Sequence, residues 1–116
     1  ATIKDTYEKT GYVMDTHTAV AACVYREYRK ASGDSKKTVI ASTASPYKFA
    51  HSVMTAIDGK YSDMDDFALI DELHSVSGME IPRAVEEIRS AQVLHTRECD
   101  ADDMKATVRE ILGAEV

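Results

Sequence analysis

One short stretch limits what this chain can fold into more than any other. Lys37-Thr38 opens a continuous apolar run, Val39-Ile40-Ala41, which closes at Ser42-Thr43. Such a run between turn-forming residues predicts a strand covered on both faces, the pattern of parallel sheets. A parallel strand standing alone leaves both backbone ladders without partners. A chain of this design is expected to have been taken from a larger protein. The fold class expected is therefore α/β: a mostly helical fragment with one buried, parallel-type strand over about residues 38–43.

Around that run the helical signals are local and easy to read. Thr2 to Lys9 predicts a short polar helix ending at Gly11, a natural left-handed C′ position. Asp15-Thr16 offers an N-cap for a second helix running to about Ala31 and stopping at Ser32-Gly33. Its predicted apolar stripe is Ala21, Val24 and Tyr28 with Val20 alongside, and His17 one turn earlier. Ser45-Pro46 places a serine at N-cap and a proline at N1, so a helix is expected from Pro46 to Ile57. Asp65-Asp66 begins another, carrying Phe67, Ile70, Leu73 and Val76 up to Gly78. Pro82 opens a fifth with Val85 and Ile88. Gln92 to Arg97 is a candidate short strand, and Asp100 with Asp103 starts a final helix bearing Met104, Val108, Ile111 and Leu112.

The 116 residues form one expected segment, 1–116, without repeat or linker. A formal charge of -6, with acids interrupting every basic cluster, argues against nucleic acid as a partner. No run of apolar residues is long enough to span a bilayer, so no membrane partner is expected. The opening Ala-Thr-Ile-Lys-Asp carries no secretory pattern, and a cytoplasmic location follows. Cys23 and Cys99 are far apart and neither has histidines at zinc-ligand spacing, so no metal site is expected. Cys23, among Ala21, Ala22 and Val24, is expected as a small buried thiol. The acidic clusters Asp63-Asp65-Asp66 and Asp100-Asp102-Asp103 lack the spacing of a calcium loop and are read as helix starts.

Two motifs carry a family resemblance. The first is Gly11-Tyr12-Val13-Met14-Asp15-Thr16-His17-Thr18-Ala19-Val20-Ala21; the second is Ser42-Thr43-Ala44-Ser45-Pro46-Tyr47-Lys48-Phe49. Together, in this order, they resemble the C-terminal part of threonine synthases. The pattern there runs Gly-Tyr-x-x-Asp-Pro-His-(Thr or Ala)-Ala-Val-Ala and then Thr-Ala-His-Pro-Ala-Lys-Phe. Thr16 stands in place of the usual proline, Ser45 of the usual histidine and Tyr47 of the usual alanine. The Ser45 exchange puts any substrate-binding or proton-transfer role of that histidine in doubt.

The resemblance implies part of a fold type II pyridoxal-phosphate enzyme, a lyase of threonine biosynthesis. That family converts O-phospho-L-homoserine and water to L-threonine and phosphate. Its Schiff-base lysine lies in an upstream motif that has no counterpart here, so no catalytic residue is assigned and the chain alone is expected to be inactive. Pyridoxal phosphate belongs to the complete enzyme and is not expected on this chain by itself. The implied partner is the remainder of the synthase chain, with self-association through exposed apolar surface as a further expectation.

By the same resemblance, Thr43 is the candidate for the pyridine nitrogen, with Ser42 the weaker choice because strand alternation turns it the other way. The carboxyl end of a buried strand is also where open α/β sheets bind ligands. A strand-end threonine that only completes a turn is the plainer alternative. Lys48, in the first turn of its helix, suits a substrate phosphate or carboxylate, and equally a solvated helix face. His17 is assigned either to substrate in the cleft or to a buried position bracing the Gly11–Thr18 corner. Asp15 is read as an N-cap. A competing function is a stand-alone, non-catalytic interaction module derived from the same family.

Overall fold

The structure, a computed structural model, describes residues 1–113 and is helical throughout its ordered elements. In chain order these are α1 (Thr2–Thr10), α2 (Thr16–Ser32), α3 (Ala50–Ile57), α4 (Asp66–Ser77), α5 (Arg83–Arg89) and α6 (Met104–Ile111). Short 3-10 turns at Pro46–Phe49, Gly59–Tyr61 and Ala101–Asp103 lead into or out of them. Among the described residues no helix is long and apolar enough to cross a membrane.

The ends of these helices follow the local chemistry. Asp15 accepts from the main-chain N–H groups of His17 and Thr18 to start α2, and Asp65 does the same for Phe67 and Ala68 at α4. Gly33 closes α2 at φ 68°, a left-handed conformation that only glycine adopts at little steric cost. Ser45 and Pro46 do start a helical element, but its first turn is 3-10 before the α-helix proper begins at Ala50.

A single core forms where α3 lies against α1 and α4, with α2 packed beside α1. Val53 and Met54 of α3 and Leu69 and Leu73 of α4 are completely buried at its centre. Val13 and Met14, in the link between α1 and α2, and the rings of Tyr47 and Tyr61 are buried in the same core. Burying side chains of this size contributes about 1.5–3 kcal/mol each before conformational entropy is subtracted.

The expected α/β class is overturned. No strand is present among the described residues, and residues 38–43 run as irregular chain between α2 and the Pro46 turn. Val39 is 93% exposed, and only Ile40 leans on the core. Apolar character makes a segment worth burying, but a strand exists only where a neighbour accepts its backbone hydrogen bonds, and none does here. Residues 92–97 fail as a strand for the same reason and lie exposed.

Helix α2 also turns a different face inward. Thr18, Ala19 and Ala22 are buried, whereas Val20, Val24 and Tyr28 are 64%, 63% and 52% exposed. The small residues of α2 face inward, and the larger stripe is rotated to solvent. Cys23 goes with it and is exposed rather than buried. Beyond α5 the chain extends away: α6 packs chiefly on its own lead-in turn and buries no residue. The radius of gyration is 19.2 Å, well above the ~13 Å of a compact domain of about 100 residues.

Candidate functional site

The two motifs meet at the start of α2. Asp15 is 1% exposed, and both of its oxygens are occupied. Oδ1 accepts the N–H of His17 at 2.8 Å and of Thr18 at 3.2 Å, the ordinary duty of an N-cap. Oδ2 accepts the Thr18 hydroxyl in a short bond and the Ser42 hydroxyl at 3.1 Å. Thr18 Oγ1 and Ser42 Oγ are themselves 2.8 Å apart, so one carboxylate and two hydroxyls, each with a single proton to give, cluster between α2 and the segment before Pro46. Burial by itself pushes the Asp15 carboxyl up, but the donors from Thr18, His17 and Ser42 outweigh it and hold it below its usual value.

A second contact lies beside the first. The His17 ring sits 5.1 Å from the Phe49 ring at a tilt of 53°, and Lys48 Nζ is 5.7 Å from the same Phe49 centroid. His17 is therefore not the buried brace that one reading of the sequence expected. Its side chain is 72% exposed, with Nδ1 3.5 Å from Asp15 Oδ1. Lys48 is exposed as well. Past it, an open cavity of about 410 Å³ is lined by Lys48, Phe49, His51, Ser52, Asp66 and Ile70 among others.

Of the four residues singled out from sequence, three gather here: Ser42 in the hydroxyl cluster, and His17 and Lys48 about the Phe49 ring. Thr43 follows Ser42 directly, exposed and outside that cluster. Thr18 and Phe49 had no site role assigned from sequence, and Asp15 was read only as a cap. An available signal was the Asp-x-x-Thr spacing of Asp15 and Thr18, which puts a hydroxyl at N3 facing the cap, much as in a capping box. The partnership of Asp15 with Ser42, 27 residues away, has no local signal.

A comparison with curated proteins finds no match to the chain. Among protein-family models, the one described as threonine synthase, C-terminal, matches residues 18–108. The matched span takes in the whole second motif, the end of the first, and all of α3, α4 and α5. The chain belongs to the threonine synthase family, as a C-terminal domain of that enzyme.

Proposed function

We propose that this chain works as the C-terminal portion, residues 1–116, of a cytoplasmic threonine synthase that makes L-threonine and phosphate from O-phospho-L-homoserine and water. The observation that carries this reading is the family match across residues 18–108, which contains Ser42, Thr43 and Lys48. The exposed apolar stripes of α2 and α6 support membership of a larger chain, since faces of this kind usually pack against something.

The residues here suit one wall of a pyridoxal-phosphate site and not the whole of it. The exposed Thr43 hydroxyl has the chemistry to meet a pyridine nitrogen as donor or acceptor. The Lys48 ammonium, stacked near the Phe49 face, has the charge to hold a substrate phosphate or carboxylate. His17, whose ring is 5.1 Å from the same Phe49 ring, has the chemistry to contact the same substrate. The glycines are dispersed at helix ends and turns, so a phosphate cradle has to come from elsewhere in the enzyme. When bound, the cofactor supplies the electron sink for proton loss next to the substrate amine. This segment's part is orientation of ring and substrate.

The test is turnover with phosphohomoserine, read as phosphate release. The chain alone is expected to release none, and mixing it with the complementary N-terminal portion is expected to restore activity. Phosphate release by the purified 116-residue chain would overturn the proposal that it is incomplete.

A further inference from the structure

We propose that Asp15 is a positioning residue, which fixes the place of Thr43 through the Ser42 hydroxyl. The inference rests on the reading of Thr43 as the group facing the cofactor ring. Its physical basis is the division of labour between the two Asp15 oxygens. Capping α2 needs a single acceptor, and Oδ1 already serves both N–H groups. Oδ2 is surplus to the cap and is directed at two hydroxyls, one of them on a different segment of the chain.

That segment needs an anchor. Between Gly33 and the Pro46 turn it has no helix or strand to hold it. At its near end Tyr25 donates to the Lys36 carbonyl, and Tyr28 and Arg29 donate to Asp34. At its far end Ser45 caps the 3-10 turn. Between these, Ile40 leans on the core and the Ser42 hydroxyl reaches the buried carboxylate. A charged acceptor makes a stronger bond than a neutral one; here the acceptor Asp15 is buried, while Ser42 itself is exposed and the bond between them is partly buried. Ser42 is therefore the nearest polar tie to Thr43, one residue away.

Two measurements test the idea, and each can sink a different part of it. In the 116-residue chain, Ser42→Ala leaves the Oδ1 cap intact, so α2 should stay folded. Backbone ¹⁵N heteronuclear NOE values at residues 41–44 should fall, while those of α2 and α4 hold. Unchanged values at 41–44 would overturn the anchor. In the complete synthase containing this segment, cofactor dissociation is followed by fluorescence for Ser42→Ala, Ser42→Thr, Asp15→Asn and Thr43→Val. Loss of one such hydrogen bond should weaken binding about two- to tenfold for Ser42→Ala and Asp15→Asn, with Ser42→Thr near the original. Asp15→Asn retains an oxygen for the cap but loses an acceptor for the hydroxyls. If Thr43→Val weakens cofactor binding and Ser42→Ala does not, positioning is refuted while the reading of Thr43 survives. If Thr43→Val has no effect, the reading of Thr43 itself fails.

Discussion

The Tyr47 hydroxyl donates to the main-chain carbonyl of Met79 at 2.6 Å and so ties the turn before α3 to the chain leaving α4. The same carbonyl lies 2.7 Å from His74 Nδ1. Burial pushes the Tyr47 phenol up from its usual value, so it stays a protonated donor across the ordinary pH range. Tyrosine here departs from the alanine of the family pattern, and the structure gives it a purpose: its ring is 5% exposed and fills the side of the core.

Tyr47→Phe should keep the packing and lose the bond, lowering stability by about 1 kcal/mol. Tyr47→Ala should lose both, at about 3–5 kcal/mol, by analogy with other large aromatic truncations. Urea unfolding of the three proteins checks the order. Equal losses for the two variants would mean that the ring contributes nothing beyond its hydroxyl.

The buried Asp15 carboxylate sets an acid limit. Its folded value lies below the usual 3.8, so its stabilising effect is complete above the unfolded value and is lost as pH falls through the folded one. Wild-type stability should thus decline below about pH 4, and Asp15→Asn should be weaker at neutral pH with a flatter acid decline. Asp5, Asp71 and Glu110 are also held low, chiefly by hydrogen bonds from Lys9, Arg89 and Arg97, but they sit in water. Added salt should erase their share and spare that of Asp15. Denaturant titrations across pH, with and without salt, make the comparison. A wild-type and an Asp15→Asn curve of identical shape would exclude Asp15 as the origin.

Helix α5 has no buried residue, and Arg89 ties it to α4 while Val85 packs against the core. The guanidinium donates to both Asp71 oxygens, at 2.6 and 3.1 Å, and lies 5.6 Å from the Phe67 ring centre. Arg89→Ala should let α5 open locally while the rest of the molecule keeps its unfolding midpoint. Hydrogen exchange should show lost protection in residues 83–89 alone. Unaltered exchange there would assign the docking of α5 to Val85 instead.

Leu73 and Val24 separate the true core from the stripe expected on α2. Leu73 is completely buried, so Leu73→Ala should destabilise by about 2–5 kcal/mol. Val24 is 63% exposed, so Val24→Lys should stay within about 0.5 kcal/mol in the isolated chain. In the complete enzyme, the same lysine should weaken packing if that face is covered there. A large loss for Val24→Lys in the isolated chain would return the stripe to the core.

What the sequence by itself determined is whatever depends on neighbours a few residues apart. The helix starts at Asp15, Ser45-Pro46 and Asp65 and the stops at Gly11, Gly33 and Gly78 were all legible, because caps and left-handed turns are made by adjacent backbone groups. The two motifs were legible as a pair by their resemblance to the family pattern. Tertiary structure decided the rest. Val39-Ile40-Ala41 looks like a buried strand because apolarity reports a preference for burial, whereas a strand also requires a partner that local sequence does not name. Likewise α2 could bury Val20, Val24 and Tyr28 or the smaller Thr18, Ala19 and Ala22, and the folded chain buries the second set. Asp15 shows the boundary within one side chain: Oδ1 serves residues two and three positions on, while Oδ2 reaches Ser42 only because the folded chain brings it within hydrogen-bonding distance.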